Sequence, residues 1–507
     1  MRSSDFLFRL IKALSKGDRR NLKLFGRLQD GDKKYLQLFD AIDAQEEYDE
    51  AALLEQFKEE RFAKQFSVAK NYLYNYILRT LHVFHHDAHA DLSVLLHQIE
   101  ILMGKNLYDQ AQKLVRKAKH MATAQERFQE LLYLLDHERK ILHYMERSKE
   151  YEVFIGEIEQ AEKQVLAQFQ NYMEHQHIYD EVYVLTKKGQ TIKGSAELQK
   201  LDALLKRPIV HDPSMALSVR ARIKQVATLT AINFHMLDIE QALAHNAELI
   251  ELYRNNEYIR LENNIRYINA VTDYGVYCHM LGRKSEASKT LDSLKTIETY
   301  SSEEEIRIFE TYYSFKIGLS IDLGDVAAGL EAIQSYEQES KELAGKIRKS
   351  VELGIHYFCA YFYLVAGMHE SALQWINRLL NEPRTEIRLD LQCAARMLNV
   401  LIHYELGNYD LLEYMMKSTV RFLTNRNRFT EMDRLALRHF RALINLEPGE
   451  STATAYQAFM DDLLGLLASD FGKQSMVVLN LEAWLQSKLD GRPMTETIQA
   501  EVITQNH

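Results

Sequence analysis

The chain has 507 residues, of which 46% are hydrophobic and 26% charged, and a net charge of −10. That length exceeds what one globular core usually organises, so several domains or a repeat array are expected, and the composition excludes global disorder. Five prolines and 20 glycines are too few for the turns of a many-stranded protein, and the acidic balance disfavours wholesale nucleic-acid binding.

Residues 1–40 depart from that balance, with ten Lys/Arg against five Asp. FLFRLIKAL (6–14) reads as an amphipathic helix; Arg9 and Lys12 at helical spacing break its apolar run, so it is not read as a leader. Short helices follow, with Asp18, Asp32 and Asp49 as N-caps or first-turn acids. A longer one runs from about Ser67 through AKNYLYNYILRTLHVFHH. Residues 1–88 are therefore expected to form an N-terminal helical bundle. Its last two helices have the order of a helix-turn-helix, which would put Lys64, Ser67, Lys70 and Asn71 near a recognition-helix start. Against this, residues 41–86 hold eight acids and five Lys/Arg, and Tyr72, Leu73, Tyr76 and Ile77 read as core. His82, His85, His86 and His89 come next, spaced to share a metal, though no closed ligand set is evident and an exposed helix end is the simpler reading.

Four C-terminal segments share one phrase: LGRKSEASKTL (281–291), LGDVAAGLEAI (323–333), AGMHESALQWI (366–376) and LGNYDLLEYMM (406–416). A Gly (282, 324, 367, 407) is followed five residues on by Ala287, Gly329, Ala372 or Leu412, and four later by Leu291, Ile333, Ile376 or Met416. The glycine ends one helix in a left-handed conformation, the small residue lets the two helices of the hairpin approach closely, and the larger one fills the gap toward the next hairpin. KNLYDQAQKLVRKA (105–118) and LDIEQALAHNAEL (237–249) are weaker copies, SKEYEVFIGEIEQAEKQV (148–165) is a poor one, and 185–215 is irregular.

The phrase resembles the tetratricopeptide repeat. Gly275 and Ala360 match the family's small residue seven positions before the turn, while Ile317 and Val400 do not. Pro383 falls at the family's closing proline; the first-helix Trp is missing and the period is longer than the family's. The resemblance implies an all-α, right-handed superhelical solenoid of helical hairpins over 89–450, closed by capping helices and a tail over 451–507.

By register, the resemblance assigns the concave, partner-contacting positions to Asn269, Thr272, Val276 and His279, then Thr311 and Ser314. Tyr357 and Tyr361 follow, then Met397, Leu401 and Tyr404. The alternative, that some of these only pack against neighbouring helices, stays open. None is Lys or Arg, so the family's carboxylate clamp is not expected. Phosphate loops, GxSxG and HExxH are all missing from the sequence. Cys278, Cys359 and Cys393 are odd in number and widely spaced, as free core thiols would be. The expectation is a cytoplasmic, non-enzymatic scaffold for a protein or peptide segment, with no cofactor, metal or membrane span. The rival is a transcriptional regulator whose N-terminal unit binds DNA and whose repeats act as sensor.

Overall fold

A computed structural model describes residues 5–14, 16–28, 33–84, 88–144, 151–187, 195–343, 345–383, 385–447, 451–468 and 479–505. These residues are almost wholly helical, contain no strand, and include no helix long and apolar enough to cross a membrane. The chain divides into two compact units, Met1–Gln170 with Tyr300–Ser302, and Asn171–Thr299 with Glu303–His507.

The first unit holds α1 (Phe6–Ala13), α2 (Lys16–Leu28), α3 (Lys33–Ala44), α4 (Glu50–Gln56), α5 (Phe66–Phe84), α6 (Ala88–Gly104), α7 (Tyr108–Ala124) and α8 (Phe128–Tyr144). Helix α9 (Tyr151–Lys187) begins in it. Helices α1 to α5 share one hydrophobic core. Leu7 and Ile11 of α1, Leu22 of α2, Leu38, Phe39 and Ile42 of α3, Leu53 of α4, and Leu73 and Ile77 of α5 bury together. The α1 and α5 pairs lie four apart, and on α3 Leu38 and Phe39 lie four and three residues before Ile42, which places them on one face. Asp49 caps α4 by accepting from the Ala52 N–H at 3.0 Å. The poor repeat copy at 148–165 lies, from Tyr151 on, inside an uninterrupted helix of 37 residues.

The second unit continues with α10 (Ser195–Leu205), α11 (Pro208–His211), α12 (Val219–His235), α13 (Ile239–Asn255), α14 (Glu257–Glu262), α15 (Asn264–Met280) and α16 (Lys284–Leu294). Then come α17 (Ser302–Leu323), α18 (Val326–Glu342), α19 (Lys349–Val365), α20 (His369–Leu380), α21 (Leu389–Glu405) and α22 (Tyr409–Thr424). The last are α23 (Glu431–Ile444), α24 (Thr452–Ala468), α25 (Leu481–Asp490) and α26 (Met494–Gln505). Consecutive helices form hairpins that pack on the next pair, as in α12 with α13, α13 with α15, α20 with α21 and α21 with α22. One apolar core runs from Ile223 to Ile498. Cys278 and Cys359 are buried in it as free thiols, and Cys393 is half-buried.

The same turn closes hairpin after hairpin. At the four glycines an N–H reaches back five residues: Arg283 to the Cys278 carbonyl, Asp325 to Ser320, Met368 to Tyr363 and Asn408 to His403, at 2.8–3.1 Å. Gly282, Gly324, Gly367 and Gly407 all have positive φ, between 62° and 73°. This is the helix-ending bond pair that leaves few carbonyls orphaned. The bond recurs where the sequence has no glycine, from Leu107 to Leu102, Arg127 to Ala122, Asp238 to Asn233 and Arg428 to Leu423. There Asn106, Glu126, Leu237 and Asn427 take the left-handed position. The turn is thus set by helix packing, and glycine only lowers its strain.

Two opposite results follow in thermal denaturation. A Cβ at Gly407 would meet nothing within 4 Å, so Gly407→Val costs only the backbone strain, about 1–2 kcal/mol. Leu237 is exposed and already carries that strain at φ 63°. Leu237→Gly should therefore stabilise, by about 0.5–1 kcal/mol once the greater freedom of the unfolded glycine is subtracted. A loss of stability at 237 would show that its side chain matters more than its backbone.

The C-terminal helices do more than cap. Helix α24 packs on α23, but α25 and α26 return to residues 79–175 positions earlier in the chain. The Asn480 N–H donates to the Tyr361 hydroxyl at 2.9 Å, Trp484 Nε1 to Glu405 Oε1 at 2.6 Å, Lys488 Nζ to Glu405 Oε2 at 2.7 Å, and Gln499 Nε2 to the Gly324 carbonyl at 2.9 Å.

Candidate functional site

That return decides the fate of the positions assigned to a concave surface. Tyr357, Tyr361, Met397, Leu401 and Tyr404 are all buried, at 1%, 7%, 9%, 0% and 7% exposure. The Tyr361 hydroxyl is taken by Asn480, and the Tyr404 hydroxyl shares a 2.8 Å hydrogen bond with Tyr456. The Tyr404 ring meets Trp484 edge-on at 5.8 Å. Tyr361 and Tyr404 thus serve as a seat for the chain's own C-terminal helices, and Tyr357, Met397 and Leu401 are core.

The earlier positions are more open. Asn269, Thr272, Val276, His279, Thr311 and Ser314 are half-buried. Thr272 and Ser314 spend their hydroxyls on the Ile268 and Glu310 carbonyls of their own helices. His279 Nε2 lies 2.7 Å from Asp322 Oδ2.

In the first unit Lys64, Ser67 and Asn71 are exposed. Lys70 is not available to a ligand. Its Nζ sits 2.7 Å from Glu50 Oε2 and 3.2 Å from the Tyr48 hydroxyl, over the Tyr48 and Phe66 rings. The Lys70 hydrogen bond is the main reason Glu50 is held below the ordinary carboxylate range. Residues 57–65, including a 3-10 segment at Arg61–Gln65, separate α4 from α5, whereas a helix-turn-helix joins its helices by a turn of about 3–4 residues. Of the histidine cluster, His85 and His86 and the side chains of His82 and His89 lie outside the described residues.

Cations outside any ion pair also face an aromatic ring in the second unit, at residues that no sequence motif marks. Tyr179 of α9 is flanked by two cations. Lys224 Nζ of α12 lies 5.0 Å from its ring centre, and the Arg266 guanidinium of α15 lies 5.5 Å away and donates to its hydroxyl at 3.3 Å. Neither cation has an ion-pair partner among the described residues. Arg220, one turn before Lys224, is neutralised by Glu262 at 2.7 Å. Burial pushes the Lys224 ammonium down to about 8, with Arg266 and Arg220 adding repulsion and Asp180 opposing it. Arg266 and Asn269 are one turn apart on α15, so an open position of the expected groove adjoins the cationic pair.

A cavity of about 280 Å³ nearby is lined by Arg254, Arg260, Tyr267 and Ser293 among others. Its arginines are paired with Glu251 and Glu257, so it lacks the free charge of the Tyr179 site. Among the described residues, no group of three or more His, Cys, Asp and Glu is placed to hold a metal ion. No protein-family model matches the chain, and no curated protein matches it.

Proposed function

We propose that this protein is a tetratricopeptide-like scaffold, a right-handed superhelical stack of helical hairpins that captures an acidic, extended segment of another protein. On this reading it is cytoplasmic, uses no cofactor and catalyses no reaction. The recurring left-handed turn and the packing of each hairpin on the next support the repeat architecture. The observation that carries the ligand class is the pair Lys224 and Arg266, converging on Tyr179 with neither in an ion pair among the described residues. Two like charges held together repel, and desolvation adds to the cost for Lys224. The attraction of a bound carboxylate offsets both costs, while the tyrosine ring supplies apolar contact area. The rival DNA-binding reading keeps exposed Lys64, Ser67 and Asn71 but loses Lys70 to Glu50.

Fluorescence anisotropy on the full-length protein tests this, with labelled Glu/Asp-rich peptides and Lys-rich controls. Lys224→Ala with Arg266→Ala should weaken acidic-peptide binding at least tenfold, about 1.4 kcal/mol, while circular dichroism stays helical. Lys224 is protonated below its folded value near 8, so affinity should be highest at neutral pH and fall as pH rises past 8. Equal binding of basic peptides, or an unchanged double variant, would remove the site from consideration.

A further inference from the structure

A second constellation, at the far end of the α21–α22 hairpin, has a different geometry. The Arg396 guanidinium carbon lies 3.4 Å from the centre of the Phe422 ring, and that of Arg426 lies 3.7 Å from it. Two carbons that close to one ring centre cannot share a face without overlapping, so the guanidinium groups sandwich the ring. Each is then held by the ring's negative face, leaving N–H edges directed outward past the rim. Arg396 spends one nitrogen on the Gln392 backbone carbonyl and side-chain oxygen, at 2.8 and 2.9 Å.

Arg428, half-buried, follows two residues after Arg426 in the same turn, where its N–H donates to the Leu423 carbonyl at 2.9 Å. All three arginines act on the half-buried Cys393, whose thiol burial pushes up and the arginines pull back. Among the described residues none of the three has an ion-pair partner. The acid that also acts on Cys393, Asp433, holds the N-cap of α23, with its Oδ2 accepting from the Thr430 N–H at 2.8 Å and hydroxyl at 2.7 Å. Desolvation lowers Arg396, Cys393 opposes that shift, and Arg426 adds repulsion.

From this geometry we infer that Arg396, Arg426 and Arg428 form a binding site for a phosphoryl group. A tetrahedral dianion matches the arrangement better than a carboxylate does. It presents three or four oxygens, enough to accept from the edges of two guanidinium planes and from a third arginine. Phe422 fixes the spacing of those planes, and the half-buried setting strengthens each charge-assisted bond over its value in open water. The shared chemistry is a phosphoryl group, either of free phosphate or of a phosphorylated side chain. The inference is independent of the acidic-segment site, which lies on other helices.

Calorimetric titration of the full-length protein with inorganic phosphate, pyrophosphate and a short phosphoserine peptide, against chloride at matched ionic strength, tests it. Binding by at least one probe is expected, weakened at least tenfold by Arg426→Ala and by Arg428→Ala. Arg426→Lys keeps the charge but loses the planar fork, and should not restore affinity. Both substituted residues lie in the turn after α22, and thermal unfolding without anion reports whether the fold is intact. Binding of the phosphopeptide alone assigns the site to an esterified side chain; binding of phosphate as well assigns it to the phosphoryl group itself. If no probe binds, or if the alanine variants bind as the parent does, the sandwich is a packing device and the inference fails.

Discussion

Replacing Trp484 by Ala is expected to lower the stability of the second unit by about 3–5 kcal/mol, a large fraction of what holds a typical domain folded. Trp484 is 2% exposed and seated among Tyr404, Phe440, Tyr456 and Phe459, with ring centres 5.5–6.2 Å away. Truncation opens a cavity in that cage and removes the indole donor from Glu405. Glu405 keeps Lys488 at 2.7 Å and faces His369 at 3.8 Å, so its charge is not left bare. Most of the loss is therefore packing. Trp484→Phe separates the two parts, because it retains much of the ring volume and forfeits only the N–H bond, at about 1–3 kcal/mol. Chemical denaturation of the full-length protein, followed through the transition of the second unit, measures both. The chain has two tryptophans, so Trp375 remains as a fluorophore in each variant. A loss below about 1 kcal/mol for Trp484→Ala would mean that α25 is not seated on α21.

That seat also explains which parts of the molecule could be read in advance. The hairpins from 281 to 416 were legible because their signal is local: a glycine with positive φ, then a residue small enough for a close neighbour, one turn before a larger one. Turns made by Asn106 and Leu237 were fainter because the packing around them holds a left-handed residue that no local rule requires. The aromatic residues at 357, 361 and 404 had the composition of a binding surface, but Tyr357 is core and the other two are covered from within the chain. The hydrogen bonds by which α25 and its cap return to this region span 79–119 residues of chain, and no periodicity announces a pairing at that distance. The Tyr179 site was hidden for the same reason. Its members lie on three helices, 45 and 87 residues apart in sequence from Tyr179, and α9 crosses a stretch with no repeat phrase to set its register. At Lys70 the sequence showed a basic residue at a helix start, but not that Glu50, from another helix, would neutralise it.

The small residue of the repeat phrase is under most pressure at Gly329. A Cβ built there would lie 2.0, 2.4 and 2.7 Å from three carbons of the Phe362 ring. Phe362 belongs to α19 and is 2% exposed, so its ring has little free space to move into. The small residue therefore admits the next hairpin here, where the repeat phrase pointed to the hairpin's own partner helix. Two effects compete in Gly329→Ala. Alanine is a better helix former by about 1 kcal/mol, but it drives a methyl group into a close-packed ring, a clash that costs about 1–3 kcal/mol or more. At separations this short the clash should win, with a net loss of about 2 kcal/mol, and Gly329→Val should lose more. Gly318 of α17 is the control, because a Cβ there meets nothing within 4 Å; Gly318→Ala should gain up to about 1 kcal/mol. Adding Phe362→Leu to Gly329→Ala should return part of the loss, since the two residues touch and their effects cannot be additive. If Gly329→Ala stabilises the protein as Gly318→Ala does, then α18 and α19 lie further apart than described, and the close approach is wrong.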